Sequence, residues 1–180
     1  AEAGSPIDGI SIPALTRVTL AKFAGATDDY NALHLDDKVA QASGKNSVYA
    51  PSTLVMAYMG RMITQSLTKT SIRRFGVRVL KLLWPGDVLT CRGAVVEARK
   101  EGSDYICDID VWCDNQRGET VAKGRILAAV PKEEGKALTK ASSSIGLIYQ
   151  AEIPAAVKKA PKKASKKTAK TTAKKTTKKK

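Results

Sequence analysis

The chain has a single histidine, His34, set in a run of carboxylates and amides: Asp28-Asp29-Tyr30-Asn31-Ala32-Leu33-His34-Leu35-Asp36. An imidazole is the usual proton shuttle near neutral pH. Asp29 lies five residues before it, in a segment flexible enough to fold its carboxylate back towards the ring. Two such groups can hold one water between them. One accepts its proton while the other orients it and returns a proton to a substrate. The cysteines offer less. Cys91, Cys107 and Cys113 are odd in number and show no CxxC spacing, a poor disulfide framework and a poor zinc site. No metal centre is expected, and the three thiols read as reduced packing residues in strands.

Local elements must hold the Asp29–His34 segment. Residues 1–12 are small, polar and turn-prone, and read as a flexible lead. Thr16 or Thr19 can cap a short helix through about Ala24, with Gly25 ending it. Residues 26–35 read as a loop whose side chains bond their own backbone. Asp36 caps a second short helix from Asp37 to about Ser43, stopped by Gly44. Pro51 and Ser52 then open the most apolar segment, STLVMAYMGRMITQSL over 52–67. A helix apolar on most sides is a buried helix, and it needs a wrapping.

Residues 71–130 supply it as strands. The sequence predicts strands over 72–84, 88–98, 104–113 and 120–130. Trp84-Pro85-Gly86-Asp87 is placed for a type II bend and Asn115 to Gly118 for a hairpin loop. Tyr105, Cys107, Ile109, Val111 and Cys113 alternate onto one face. The expected fold is α+β: a curved antiparallel sheet around one long buried helix, in a domain spanning 13–131. Open sheet edges are a hazard that edge-to-edge pairing removes, so a homodimer or a heterodimer with a related chain is expected.

Charge is concentrated at one end. Residues 151–180 hold twelve Lys and one Glu, a net of +11, which leaves +3 of the total +14 for residues 1–150. Residues 132–154 read as a linker with an apolar patch at 145–149 that can dock back. Residues 155–180 lack the apolar content to offset chain entropy and are expected to be disordered. The tail's Lys pairs resemble those of linker histone tails. A flexible polycation running from Lys158 to Lys180 would bind DNA, RNA or anionic lipid non-specifically and with strong salt dependence. A nucleic-acid-binding protein driven by this tail is therefore one alternative function. No apolar run is long enough to cross a bilayer and no signal segment opens the sequence, so a cytoplasmic location is expected.

The stretch TDDYNALHLDDKVA resembles the signature of MaoC-like (R)-specific enoyl-CoA hydratases and dehydratases, which have the hotdog fold. That signature runs Asp, any residue, Asn, Pro, any residue, His, any residue, Asp. Here it is Asp29, Asn31, Ala32 in the proline place, His34 and Asp36. The resemblance extends over about 14–131, taking in the apolar helix, the Pro-Gly-Asp turn at 85–87 and the hairpin at 115–118. It implies a lyase in which Asp29 and His34 activate water for addition to the β-carbon of a trans-2-enoyl thioester, or the reverse dehydration of a 3-hydroxyacyl thioester. Asn31 would support the geometry. The substrate would be carried on coenzyme A or acyl carrier protein, with no further cofactor.

Two departures bear on activity. The family usually has His-Gly just before the buried helix, and the Gly amide serves the thioester oxygen. Counting from His34 places Pro51 and Ser52 there, so the Ser52 N–H becomes the expected oxyanion donor while Pro51 can donate nothing. Ala32 in place of Pro loosens the loop that holds the pair. A non-catalytic hotdog subunit completing a partner's site is accordingly another alternative. Thioesterases of this fold commonly use a carboxylate on or near the central helix, and residues 52–67 contain none. Arg73, Arg74, Arg78 and Lys81 could meet coenzyme A phosphates or an acidic carrier protein.

Overall fold

Helix α3 (Ser52–Ser66) is the axis of the fold, and its apolar spacing explains why. Leu54, Val55, Met59, Met62 and Ile63 recur at three- and four-residue intervals and are buried; each such side chain contributes about 1.5–3 kcal/mol. They pack on a five-stranded antiparallel sheet of β1 (Pro6–Ile12), β2 (Ser71–Val79), β3 (Leu89–Glu101), β4 (Asp104–Asn115) and β5 (Thr120–Val130), ordered β1-β3-β4-β5-β2. The computed structural model describes residues 6–67, 69–133, 135, 136 and 138. The lysine tail and the patch at 145–149 lie outside these, although Leu138 packs against the core.

The inward residues of β4 (Cys107, Ile109, Val111, Cys113) meet the helix side, as their alternation predicts. All three cysteines are buried and unbridged. Register shifts in β1, β2 and β3, at 7/10, 72/74 and 95/97, are the bulges that bend a sheet. Glycine permits close approach of helix to sheet at Gly93 and of strand to strand at Gly124. A Cβ on Gly93 would lie 3.1 Å from Met62 Cε, and one on Gly124 would lie 2.5 Å from the Gly76 carbonyl.

Four expectations need correction. Residues 6–12 are not a loose lead but strand β1, paired to β3, with Ile7 and Ile12 buried; tertiary pairing overrides the turn-prone composition around Gly9. Helix α1 (Arg17–Thr27) is capped by Thr16, whose Oγ1 accepts from Thr19 N–H at 3.0 Å. It runs through Gly25 and ends where Asp28 takes a left-handed conformation, φ 56°. The run expected as a strand over 72–84 leaves the sheet after Val79. Leu80 and Lys81 still donate to the Val121 carbonyl, then the chain bends so that the Leu83 carbonyl accepts from Ala50 N–H at 2.8 Å. Finally, α3 is not covered on most sides: Ala57, Arg61, Thr64 and Gln65 are exposed, and Met56 and Tyr58 are half-buried.

Both predicted turns form. Gly86 (φ 97°) closes the bend in which Asp87 N–H donates to the Trp84 carbonyl, and Gly118 (φ 73°) closes the hairpin. The Asp87 side chain is buried and accepts from Trp84 N–H, Gln116 and Arg117, tying one turn to the other.

Candidate active site

The Asp29–His34 segment is a chain of short-range caps. Asp28 ends α1, its N–H bonding the Ala24 carbonyl. The Asp29 carboxylate accepts from Asn31 N–H at 3.3 Å. The Asn31 side-chain oxygen accepts from Leu33 N–H at 3.1 Å and so starts the 3-10 turn Ala32–His34. Asp36 caps α2 (Asp37–Ala42) by accepting from Lys38 N–H at 2.8 Å. Ala32 sits first in the 3-10 turn, where proline is favoured; here the Asp29 and Asn31 caps hold the loop. The Asn31 side-chain oxygen serves its own backbone, and Asn31 is not among the residues that line the cleft.

Asp29, His34 and Ser52 come together on one cleft of about 450 Å³. Its further walls are Tyr49, Ala50, Pro51, Val55, Val79, Leu82 and Leu83, with Lys81 beside them. Asp29 and His34 both line the cleft and make no direct hydrogen bond to each other.

His34 Nδ1 lies 2.7 Å from the Tyr49 carbonyl oxygen. A carbonyl only accepts, so Nδ1 carries the hydrogen, and in the neutral ring Nε2 is the nitrogen with the lone pair. The Tyr49 ring stands edge-on to the imidazole at 4.9 Å between centroids, and Trp84 stands edge-on to Tyr49 at 6.0 Å. The Tyr49 backbone is itself placed by Asp37. That carboxylate accepts from Val48 N–H at 3.0 Å and Ser47 Oγ at 2.9 Å, and pairs with Arg17 at 2.7 Å. The Val48 amide, Arg17 and Ser47 together hold the Asp37 carboxyl below its ordinary value.

Ser52 is the first residue of α3, and Pro51 before it supplies no side-chain cap. The first amides of a helix have no intrahelical acceptor and carry the positive end of the dipole. The Ser52 N–H is therefore available to an oxygen in the cleft. Lys81 is bound to Glu119 at 2.5 Å. Glu119 also accepts from Asn115 at 2.8 Å and Arg117 at 2.9 Å, and these donors hold its carboxyl down at about 2.

Sequence reasoning placed Asp29, His34 and Ser52 on this cleft but missed Tyr49, Asp37 and the Leu82–Leu83 wall. The Tyr49 contribution is a backbone carbonyl, which no residue type announces. Leu82 and Leu83 read as strand until the chain is seen to leave the sheet. Among the described residues no group of three or more His, Cys, Asp or Glu is placed to hold a metal ion, and no helix is long and apolar enough to cross a membrane.

A family model described as "MaoC like domain" matches residues 2–108. No curated protein matches the chain. Among solved structures, the unliganded R-hydratase PhaJ1 from Pseudomonas aeruginosa is similar at 22% identity and TM-score 0.64, over 73% of this chain and 83% of that one. A MaoC-like dehydratase from Rhodospirillum rubrum is similar at 21% identity and TM-score 0.64, over 73% and 93%. A chain of the ChsH1-ChsH2 complex from Mycobacterium tuberculosis is similar at 18% identity and TM-score 0.63, over 71% and 97%. These likenesses give the fold, a sheet wrapped on one helix in the hotdog manner. With more than half of its length matched by the family model, the chain belongs to the MaoC-like family.

Proposed function

We propose that the chain catalyses (R)-specific hydration of trans-2-enoyl thioesters, or the reverse dehydration of 3-hydroxyacyl thioesters. The observation that carries this is the fixed imidazole: His34 is anchored through Nδ1 to the Tyr49 carbonyl and shares a cleft with Asp29 and the Ser52 amide. A water held between Asp29 and His34 Nε2 gives up one proton as its oxygen bonds the β-carbon. The α-carbon takes a proton, so one water is added in all. Charge that develops on the thioester oxygen is met by the Ser52 N–H at the positive end of α3. Val55, Val79, Leu82 and Leu83 form an apolar wall for the acyl chain. The carrier would be coenzyme A or acyl carrier protein, and the reading calls for no other cofactor.

The chain would work paired with a second hotdog chain, a copy or a relative. The half-exposed flank of α3 favours this, and the similar ChsH1-ChsH2 protein was solved as a complex.

The test is loss of the enoyl-thioester absorbance of trans-2-enoyl-CoA substrates with the full chain, alone and with co-expressed hotdog chains. Asp29→Ala and His34→Ala should each lower turnover by about 10²–10⁴-fold. Parental turnover in both variants would exclude the pair.

A further inference from the structure

On the outer face of the sheet three aspartates of β4 are each paired with an arginine of a neighbouring strand. Asp114, Asp108 and Asp110 of β4 pair with Arg92 at 2.7 Å, Arg99 at 3.0 Å and Arg125 at 2.7 Å. Beyond β5 the pattern stops. Arg73, Arg74 and Arg78 of β2 are exposed and pair with no carboxylate among the described residues. Lys123 of β5 stands directly opposite Arg78 and is likewise unpaired. Neither β2 nor β5 contains an Asp or Glu.

Strand β2 is also outermost, bonded to β5 alone. Its other edge presents free N–H and C=O groups, a template for a further strand. The inward residues Ile72, Phe75, Val77 and Val79 reach the core yet stay half-exposed, and Leu80 and Leu82 follow at 49% and 38% exposure. The edge is apolar on one face, cationic on the other and unpaired between.

We infer that the β2 edge takes the edge strand of a different chain with outward carboxylates, and disfavours a second copy of itself. A symmetric pair of copies joins antiparallel, and residues directly opposite then share a face. Arg74, Gly76 and Arg78 share the outward face. In any two-fold register centred from Arg74 to Arg78, an arginine of one copy falls opposite or diagonal to an arginine of the other. Centred on Gly76, Arg74 faces Arg78 twice. Like charges so placed weaken a sheet, while Asp or Glu at those positions strengthens it. Val79, the last residue of this edge, also belongs to the cleft wall, with Leu82 just beyond it, so the partner would stand beside the acyl chain. The inference rests on the pairing proposed above but not on the hydration chemistry.

The test is the mass of the full chain by size exclusion with light scattering at micromolar concentration. The parent should be monomeric at about 0.05 M salt and self-associate at least about tenfold more tightly at about 1 M. An Arg74→Glu/Arg78→Glu variant of the full chain, mixed with the parent at low salt, should form a one-to-one dimer that neither forms alone. Both carry the same lysine tail, so its repulsion cancels when the mixture is compared with each chain alone at the same salt. A parent dimer indifferent to salt would overturn the inference, as would a folded variant that gains no dimer with the parent. Should the reversed variant fail to fold, Arg74→Gln/Arg78→Gln must pair with itself more tightly than the parent does; equal or weaker pairing overturns the inference. Since the readout is mass, failure here leaves the enoyl-thioester assay to decide the hydratase reading separately.

Discussion

The Nδ1–H of His34 donates to the Tyr49 carbonyl across 2.7 Å, and that bond decides which ring nitrogen is left for chemistry. The carbonyl is in turn placed by a neighbour, since Val48 N–H is held on the Asp37 carboxylate at 3.0 Å. A base that activates water needs a lone pair rather than an N–H, and in the neutral ring this bond leaves the lone pair on Nε2.

The tautomer can be read directly. His34 is the chain's single histidine, so its two ring nitrogens give one unobscured pair of ¹⁵N resonances. In the neutral ring Nδ1 should appear protonated and Nε2 unprotonated. Asp37→Asn, which weakens the anchor on Val48, should shift the population towards a mixture of tautomers. A parent ring protonated chiefly at Nε2 would remove His34 as the base.

The Ser52 amide can be deleted without deleting the helix. Ser52 is the first residue of α3, the one helical position where proline is well tolerated because the N–H has no intrahelical acceptor. Pro51 before it is extended at φ −62° and ψ 145°, a conformation compatible with a following proline. Ser52→Pro should therefore keep its circular dichroism and thermal midpoint while kcat/KM falls by about 10²–10³-fold, the range for losing one oxyanion donor. Ser52→Gly, which keeps the amide, should retain activity. Equal activity in Ser52→Pro and the parent would show that the thioester oxygen is served elsewhere.

Legibility in the sequence followed the range of the forces involved. The Asp28–Asp36 loop, the Asp36 cap and the turns at Gly86 and Gly118 are set by neighbours a few residues apart, and all are readable from residue type. Strand β1 was not, because PIDGISI becomes a strand only through its pairing to β3. The end of β2 was not, because Leu82 and Leu83 leave the sheet for a contact with Ala50 some thirty residues away. In the site, side-chain chemistry at Asp29 and His34 was visible. The backbone carbonyl that orients His34 was not, since it depends on where Asp37 holds the chain.

The cluster of Glu119 with Lys81, Asn115 and Arg117 gives a pH dependence with a definite sign. Glu119 receives hydrogen bonds from Asn115, Lys81 and Arg117, in that order of effect, and its carboxyl is held down at about 2 from an ordinary 4.5. A carboxylate depressed on folding adds stability wherever the unfolded chain binds the more protons. Its contribution is thus full above about pH 4.5 and is lost as pH falls towards about 2. Glu119→Gln cannot ionise, so parent and variant should differ most in urea midpoint near neutral pH and converge across that window. The group is exposed, and salt should shrink the gap at every pH. The same substitution loosens Lys81 from its partner at the cleft wall, so in the proposed reaction KM for an anionic carrier should change while kcat, assigned there to Asp29 and His34, stays near the parent's. Midpoints separated by the same amount from about pH 6 down to about pH 2 would show that packing rather than charge links this hairpin to the cleft.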